Sequence, residues 1–227
     1  MKKIWVCRMM AAVVFFSSCN GTKNLFTVSD AEAAIRELLS VGSLFGGKAL
    51  GIKGLISKES LLSTILPGEA GKLLGTLESL GFAKETARFT ATLGNAAAST
   101  AERSVPVFLM GIRKMNIRDA AGIVKNGGTA CTDYLRTTIG DTLKRAIAPV
   151  MDSALEEYKL AGEWNKLVEP VKILSGNKLN LDLGYLMSGL VANLMFSKIA
   201  EKEVAIRLKA EERKSVLLQK VFANVIH

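Results

Sequence analysis

Ser17, Ser18 and Cys19 hold the clearest chemical potential in the chain. Two small side chains before a cysteine fit a peptidase cleft, and the thiol placed there can take up a diacylglycerol through a thioether. The residues upstream agree with that chemistry. Lys2, Lys3 and Arg8 are basic, and Met9–Phe16 is an apolar run too short to cross about 30 Å of hydrocarbon as a helix. The pattern resembles a lipobox, although Phe16 stands where leucine is commoner. Residues 1–18 therefore read as a signal peptide, Cys19 as the lipidation site, 19–28 as a tether and 29–227 as one helical domain. Two or three acyl chains anchor a protein far more firmly than one. The expected location is the cell envelope, on the periplasmic side, with the outer membrane the simplest assignment.

Other chemistry is thinly supplied. His227 is the single histidine and also the last residue, which argues against Ser-His-Asp and Cys-His catalysis and against histidine-ligated metals. Cys131 has no base near it in sequence and no partner for a disulfide framework; burial as a small apolar side chain is its expected fate. Asp133, Asp141, Asp152, Glu156 and Glu157 could serve as acids or bases, with Asp152 and Glu156 one turn apart. Such carboxylates more often line a solvated helix face. Neither a metal nor a cofactor is expected, nor is an enzyme.

The densest polar group on otherwise apolar segments is Asp119, Thr132, Asp133, Tyr134, Arg136, Thr137 and Thr138. Its Asp119, Thr132, Tyr134, Arg136 and Thr138 form a candidate site for an anion or a partner, with Arg136 as the charge and hydroxyls as donors. Hydrogen bonding between helices, together with capping of a helix opening at Asp141, is the competing use. The net charge of +9 is scattered and aromatic residues make up only 6%, so no basic stripe with stacking surfaces suggests nucleic-acid binding.

Helices must position these residues. Ser29 with Glu32 reads as a capping box, followed by the apolar stripe Ala34, Ile35, Leu38 and Leu39. Gly42, Gly46, Gly47, Gly51 and Gly54 predict a frayed or broken helix beyond it. Further helices are expected from Pro67 to Leu80, over 83–100 and 105–115, and over 117–125 with an Asn116/Asp119 start. Thr129 caps another to about Thr138. Asp141 opens the next, kinked at Pro149, and 163–174 forms one bent at Pro170. Residues 183–197 contain no charge but span only about 22 Å as a helix, and Ser188, Asn193 and Ser197 dilute them. A buried core helix fits better than a membrane span. Its continuation through Lys198, Glu201, Lys202, Glu203 and Arg207 reads as a helix leaving the core, Glu203 and Arg207 being a favourable i,i+4 pair. A last helix from Ser215 carries Val216, Leu217, Val221 and Phe222 near one another. The expected architecture is all-α: a single multi-helix bundle with a buried apolar helix near 183–200.

The segment Met115–Val124, followed by Gly128–Thr138, resembles the domain-of-unknown-function 4197 family of Gram-negative envelope proteins. Ile147, Pro149 and Val150 continue the likeness, as do Ile199-Ala200-Glu201 and Leu217–Phe222, so that it covers most of 29–222. The chain departs from the family where Asn-Arg followed by Ala-Ala-Glu is usual and Gly94-Asn95-Ala96-Ala97-Ala98 stands instead. The resemblance implies an exported helical domain and no established activity. The expectation is a non-enzymatic envelope lipoprotein, anchored by lipid, that binds an envelope partner or helps organise the envelope. The alternative is a periplasmic carrier of a lipid or other apolar ligand, with 183–197 lining a cavity.

Overall fold

Thr27 begins the first helix, in a computed structural model that describes residues 26–52, 56, 83–174 and 182–223. The expected signal peptide, Cys19, the expected tether as far as residue 25, Gly54 and the helix expected over 67–80 lie outside the described residues. Helix α1 (Val28–Leu50) carries a capping box two residues earlier than the spacing predicts: Thr27 accepts from the Asp30 amide, and Asp30 accepts from the Thr27 amide. Asp30 reaches N3 only from Thr27, so that register wins over Ser29 and Glu32.

The expected break in α1 is absent. Gly42, Gly46 and Gly47 lie inside a continuous helix that ends at Gly51. Their missing side chains serve packing. A Cβ on Gly42 would come within 2.9 Å of the Ile199 side chain and 3.2 Å of its Cα. One on Gly46 would meet Lys198 and Met195 at 3.3 Å, and one on Gly47 would collide with Val105.

The remaining described helices are α2 (Ala83–Arg103), α3 (Val105–Lys114), α4 (Ala120–Lys125), α5 (Ala130–Glu157), α6 (Leu160–Leu174), α7 (Leu183–Leu208) and α8 (Val216–Phe222). A short 3-10 turn, Ala210–Glu212, precedes α8. No strand occurs among the described residues. Helix α4 starts at Ala120, behind Asp119 as N-cap, rather than at 117. The two helices expected around Thr138 and Asp141 are one, α5, with Pro149 inside it. Gly140 sits at that junction, buried inside the helix, and a Cβ there would lie at an ordinary 3.7 Å from Phe196.

Helix α7 is the centre, flanked by α1 on one side and α5 on the other. It runs antiparallel to α1, since Gly42 meets Ile199 while Gly46 meets Met195. Helices α2, α3 and α4 each touch both α1 and α5, α6 rests on α5 and α2, and α8 rests on α1. Met187, Val191, Met195, Phe196 and Ile199 of α7 are fully buried. By length and hydropathy α7 could cross a membrane, but 56% of its most apolar window is buried within the domain. It is a core helix. Phe196 meets Phe108 edge to face at 5.6 Å, and Phe89 stacks on Trp164 at 5.8 Å. In α8, Leu218, Val221 and Phe222 are buried, but Val216 is 82% exposed and faces away from them.

Candidate functional site

The last turns of α7 bury two residues whose charge predicts a helix leaving the core. Glu203 and Arg207 are buried, with side chains 0% and 1% exposed. Position 203 continues the i+4 row Val191, Met195, Ile199, so Glu203 occupies the core stripe, and Arg207 follows it. That row was the available signal; the charges on it masked it.

Glu203 accepts four hydrogen bonds. Its Oε1 receives the Cys131 amide at 2.9 Å and Arg207 Nε at 2.9 Å. Its Oε2 receives the Thr132 amide at 2.8 Å and the Thr132 hydroxyl at 2.7 Å. The carboxylate thereby caps the amino terminus of α5, where free N–H groups and the helix dipole favour an anion. Thr129, the expected cap, gives no side-chain cap bond and donates its hydroxyl to Asp133 instead, at 2.8 Å.

Arg207 does the complementary work at a carboxyl terminus. Its Nη1 donates to the Val124 carbonyl at 2.8 Å and its Nη2 lies 3.4 Å from the Ile123 carbonyl, both in the last turn of α4. The Phe222 ring of α8 covers the guanidinium at 5.0 Å. Asn126-Gly127-Gly128 turns the chain between the two helix ends, with φ of 68° and 54° at the glycines, a conformation open to residues without a side chain. One ion pair thus joins α4, α5, α7 and α8. Removing one partner of such a buried pair typically costs about 3–5 kcal/mol.

Cys131 is enclosed by the same junction. Its sulfur lies 3.2 Å from Arg207 Nη2. Burial first, and then the Glu203 charge, push the thiol well above its ordinary value, with Arg207 opposing. The thiolate needed for nucleophilic chemistry is therefore disfavoured.

The candidate anion residues do not converge. Thr132 points into the buried junction. Tyr134 donates to the Asn116 carbonyl at 2.9 Å and accepts the Arg118 amide at 3.0 Å, fastening the segment between α3 and α4. Arg136 lies over the Phe196 ring at 5.2 Å. Asp119, at φ 51°, accepts the Gly122 amide as N-cap of α4. Thr138 is exposed. The carboxylates separate likewise: Glu157 grips Arg103 through two bonds of 2.7 and 3.0 Å, which lowers its pKa. Asp152 is held above its ordinary value by burial first, then by Asp182 and Glu156. No group of three metal-ligating side chains occurs among the described residues.

A second helix-end cap has no counterpart among the sequence expectations. Arg36 of α1 donates to the carbonyls of Ile112, Arg113 (3.2 Å) and Met115 (2.7 Å), closing the carboxyl terminus of α3. Its signal is a lone arginine beside the apolar stripe. At 94–98, where the chain departs from the family pattern, Gly94, Ala96, Ala97 and Ala98 are buried in α2.

These features define an all-α domain whose interior charges join helix ends. The chain belongs to the family described as protein of unknown function (DUF4197), whose sequence profile matches residues 26–223. No curated protein and no solved structure matches it.

Proposed function

We propose that the chain is an envelope lipoprotein, anchored through Cys19, whose helical domain acts without catalysis as a partner-binding or structural module. The observation that carries this reading is the use of its interior polar groups. Glu203, Arg207, Thr132 and Cys131 are committed to one another and to helix ends. Tyr134 and Arg136 are likewise engaged within the domain. The close α1–α7 seam, where Gly42 already meets the Ile199 backbone, favours this reading over a carrier opening beside α7.

Mass spectrometry of the amino-terminal peptide from membrane-purified protein provides the test. The expected result is a diacylglyceryl thioether on Cys19, and detergent-free extraction should leave the protein in the membrane fraction. An unmodified Cys19 in a chain recovered from the cytosol overturns the anchor. Turnover of an ester or phosphate substrate that Asp152→Asn abolishes overturns the non-catalytic assignment.

A further inference from the structure

The antiparallel arrangement of α1 and α7 puts the start of the described chain at a chemically distinct end of the bundle. Gly42 opposite Ile199 and Gly46 opposite Met195 set the direction, so the first turns of α1 lie beside the last turns of α7. Three further links confirm the grouping. Lys220 of α8 pairs with Asp30 at 2.7 Å. Arg213 donates to the Ile206 and Arg207 carbonyls at 2.9 and 2.7 Å. Arg36, about 12 Å along α1 from Val28, holds the loop after α3.

Large apolar side chains stand out from this end. Val28 is 62% exposed, Leu208 65% and Val216 82%. Val216 and Lys220 are four residues apart on α8, hence on one face. Arg113, Lys114 and Arg118 are exposed on the segment that Arg36 and Tyr134 hold, and form no ion pair with another described residue. The carboxylate next to them in sequence, Asp119, is turned onto its own helix through the Gly122 amide. The opposite end also exposes apolar side chains, Ile52 at 59% and Tyr185 at 63%, but its charge differs: Asp152, Glu156 and Asp182 come together there at the carboxyl end of α5 and the start of α7. Between Cys19 and Thr27 the chain can extend about 28 Å at most. An acylated Cys19 would keep this basic, apolar-studded end within reach of headgroups, and cations near an anionic surface each add about 1 kcal/mol, a roughly fivefold effect.

We propose that this end docks on an anionic phospholipid surface, with Val28, Leu208 and Val216 entering the headgroup layer and Arg113, Lys114 and Arg118 binding phosphates. The inference rests on the reading of Cys19 as acylated. The test uses the full chain on phosphatidylcholine vesicles with or without phosphatidylglycerol. An environment-sensitive probe is attached at Val216→Cys or, as the control about 35 Å along α5 from its start, at Ser153→Cys. In the signal-cleaved, acylated chain isolated from membranes Cys7 is gone and Cys19 is blocked, and buried Cys131 does not compete for the label. Lipid-borne quencher should reach the probe at position 216, with anionic lipid and low salt required, and should spare the probe at 153. Replacing Arg113, Lys114 or Arg118 by alanine should weaken docking about fivefold each. Equal quenching at both positions, or quenching indifferent to phosphatidylglycerol, overturns the docking. The mass of the Cys19 peptide is read on the same sample, so loss of the anchor and loss of the docking are told apart.

Discussion

Helix α7 is held on its two flanks by opposite means. Against α1 the contact is made by absence: glycines let a backbone approach Ile199, Lys198 and Met195. At the α4–α5 turn the contact is made by charge, with one carboxylate and one guanidinium meeting two helix ends. The first kind of contact grades with volume and tolerates adjustment. The second is nearly all-or-none, because each partner left alone is a buried ion. Shape sets how closely the central helix lies; charge sets which helix ends it must meet.

Arg207→Leu tests the charged flank most severely. Its loss should lower unfolding free energy by about 3–5 kcal/mol, read by urea denaturation with circular dichroism. Adding Glu203→Leu sharpens the comparison. Buried pairs replaced by apolar residues are often neutral, but here the Cys131 and Thr132 amides would lose their acceptor. The double variant should therefore remain at least about 2 kcal/mol below the parent. Full recovery in the double variant would show that the helix-end bonds contribute little.

The glycine flank should respond less. Gly42→Ala sets overpacking of about 1–3 kcal/mol against about 1 kcal/mol of helix propensity, so a net loss of about 1 kcal/mol is expected in the same assay. Gly189, also in α7, has nothing within 4 Å of a Cβ. Gly189→Ala should accordingly gain about 0.5–1 kcal/mol. If both alanines stabilise equally, the seam is not shape-limited.

The smallest effect concerns the exposed link between α8 and α1. The Lys220 hydrogen bond, then the Thr27 amide and hydroxyl, hold Asp30 at about 2 against an ordinary 3.8. Because the folded value is depressed, the contribution is fully present above pH 3.8 and fades as pH falls toward 2. Lys220→Ala should move the Asp30 carboxyl titration, followed by its NMR shift, back toward 3.8.

The sequence revealed elements better than junctions. Apolar spacing locates α1 and α8, because each buries a stripe that repeats along its own length, and the uncharged run 183–197 locates α7. Thr27 and Ser29 both offer a hydroxyl with an acid three residues on, and only geometry separates them. Local propensity predicts a break at the glycines of α1, whereas their use depends on Ile199 across a seam. The spacing of Glu203 and Arg207 announces a pair but not its burial, since nothing nearby in sequence announces the orphan groups at 123–124 and 131–132. The polar cluster around Arg136 was visible, but its dispersal onto Phe196, Asn116 and Glu203 depends on three other parts of the chain.

The bonds between Glu203 and the start of α5 join residues 71 and 72 positions apart, and those from Arg207 to α4 span 83 and 84. Glu203 and Arg207 can meet as soon as their own helix winds, yet α5 waits for its cap until that helix arrives. The keystone consequently sits in a later helix than the ends it closes, so in a nascent or half-threaded chain α4 and α5 stay unfinished until α7 has emerged.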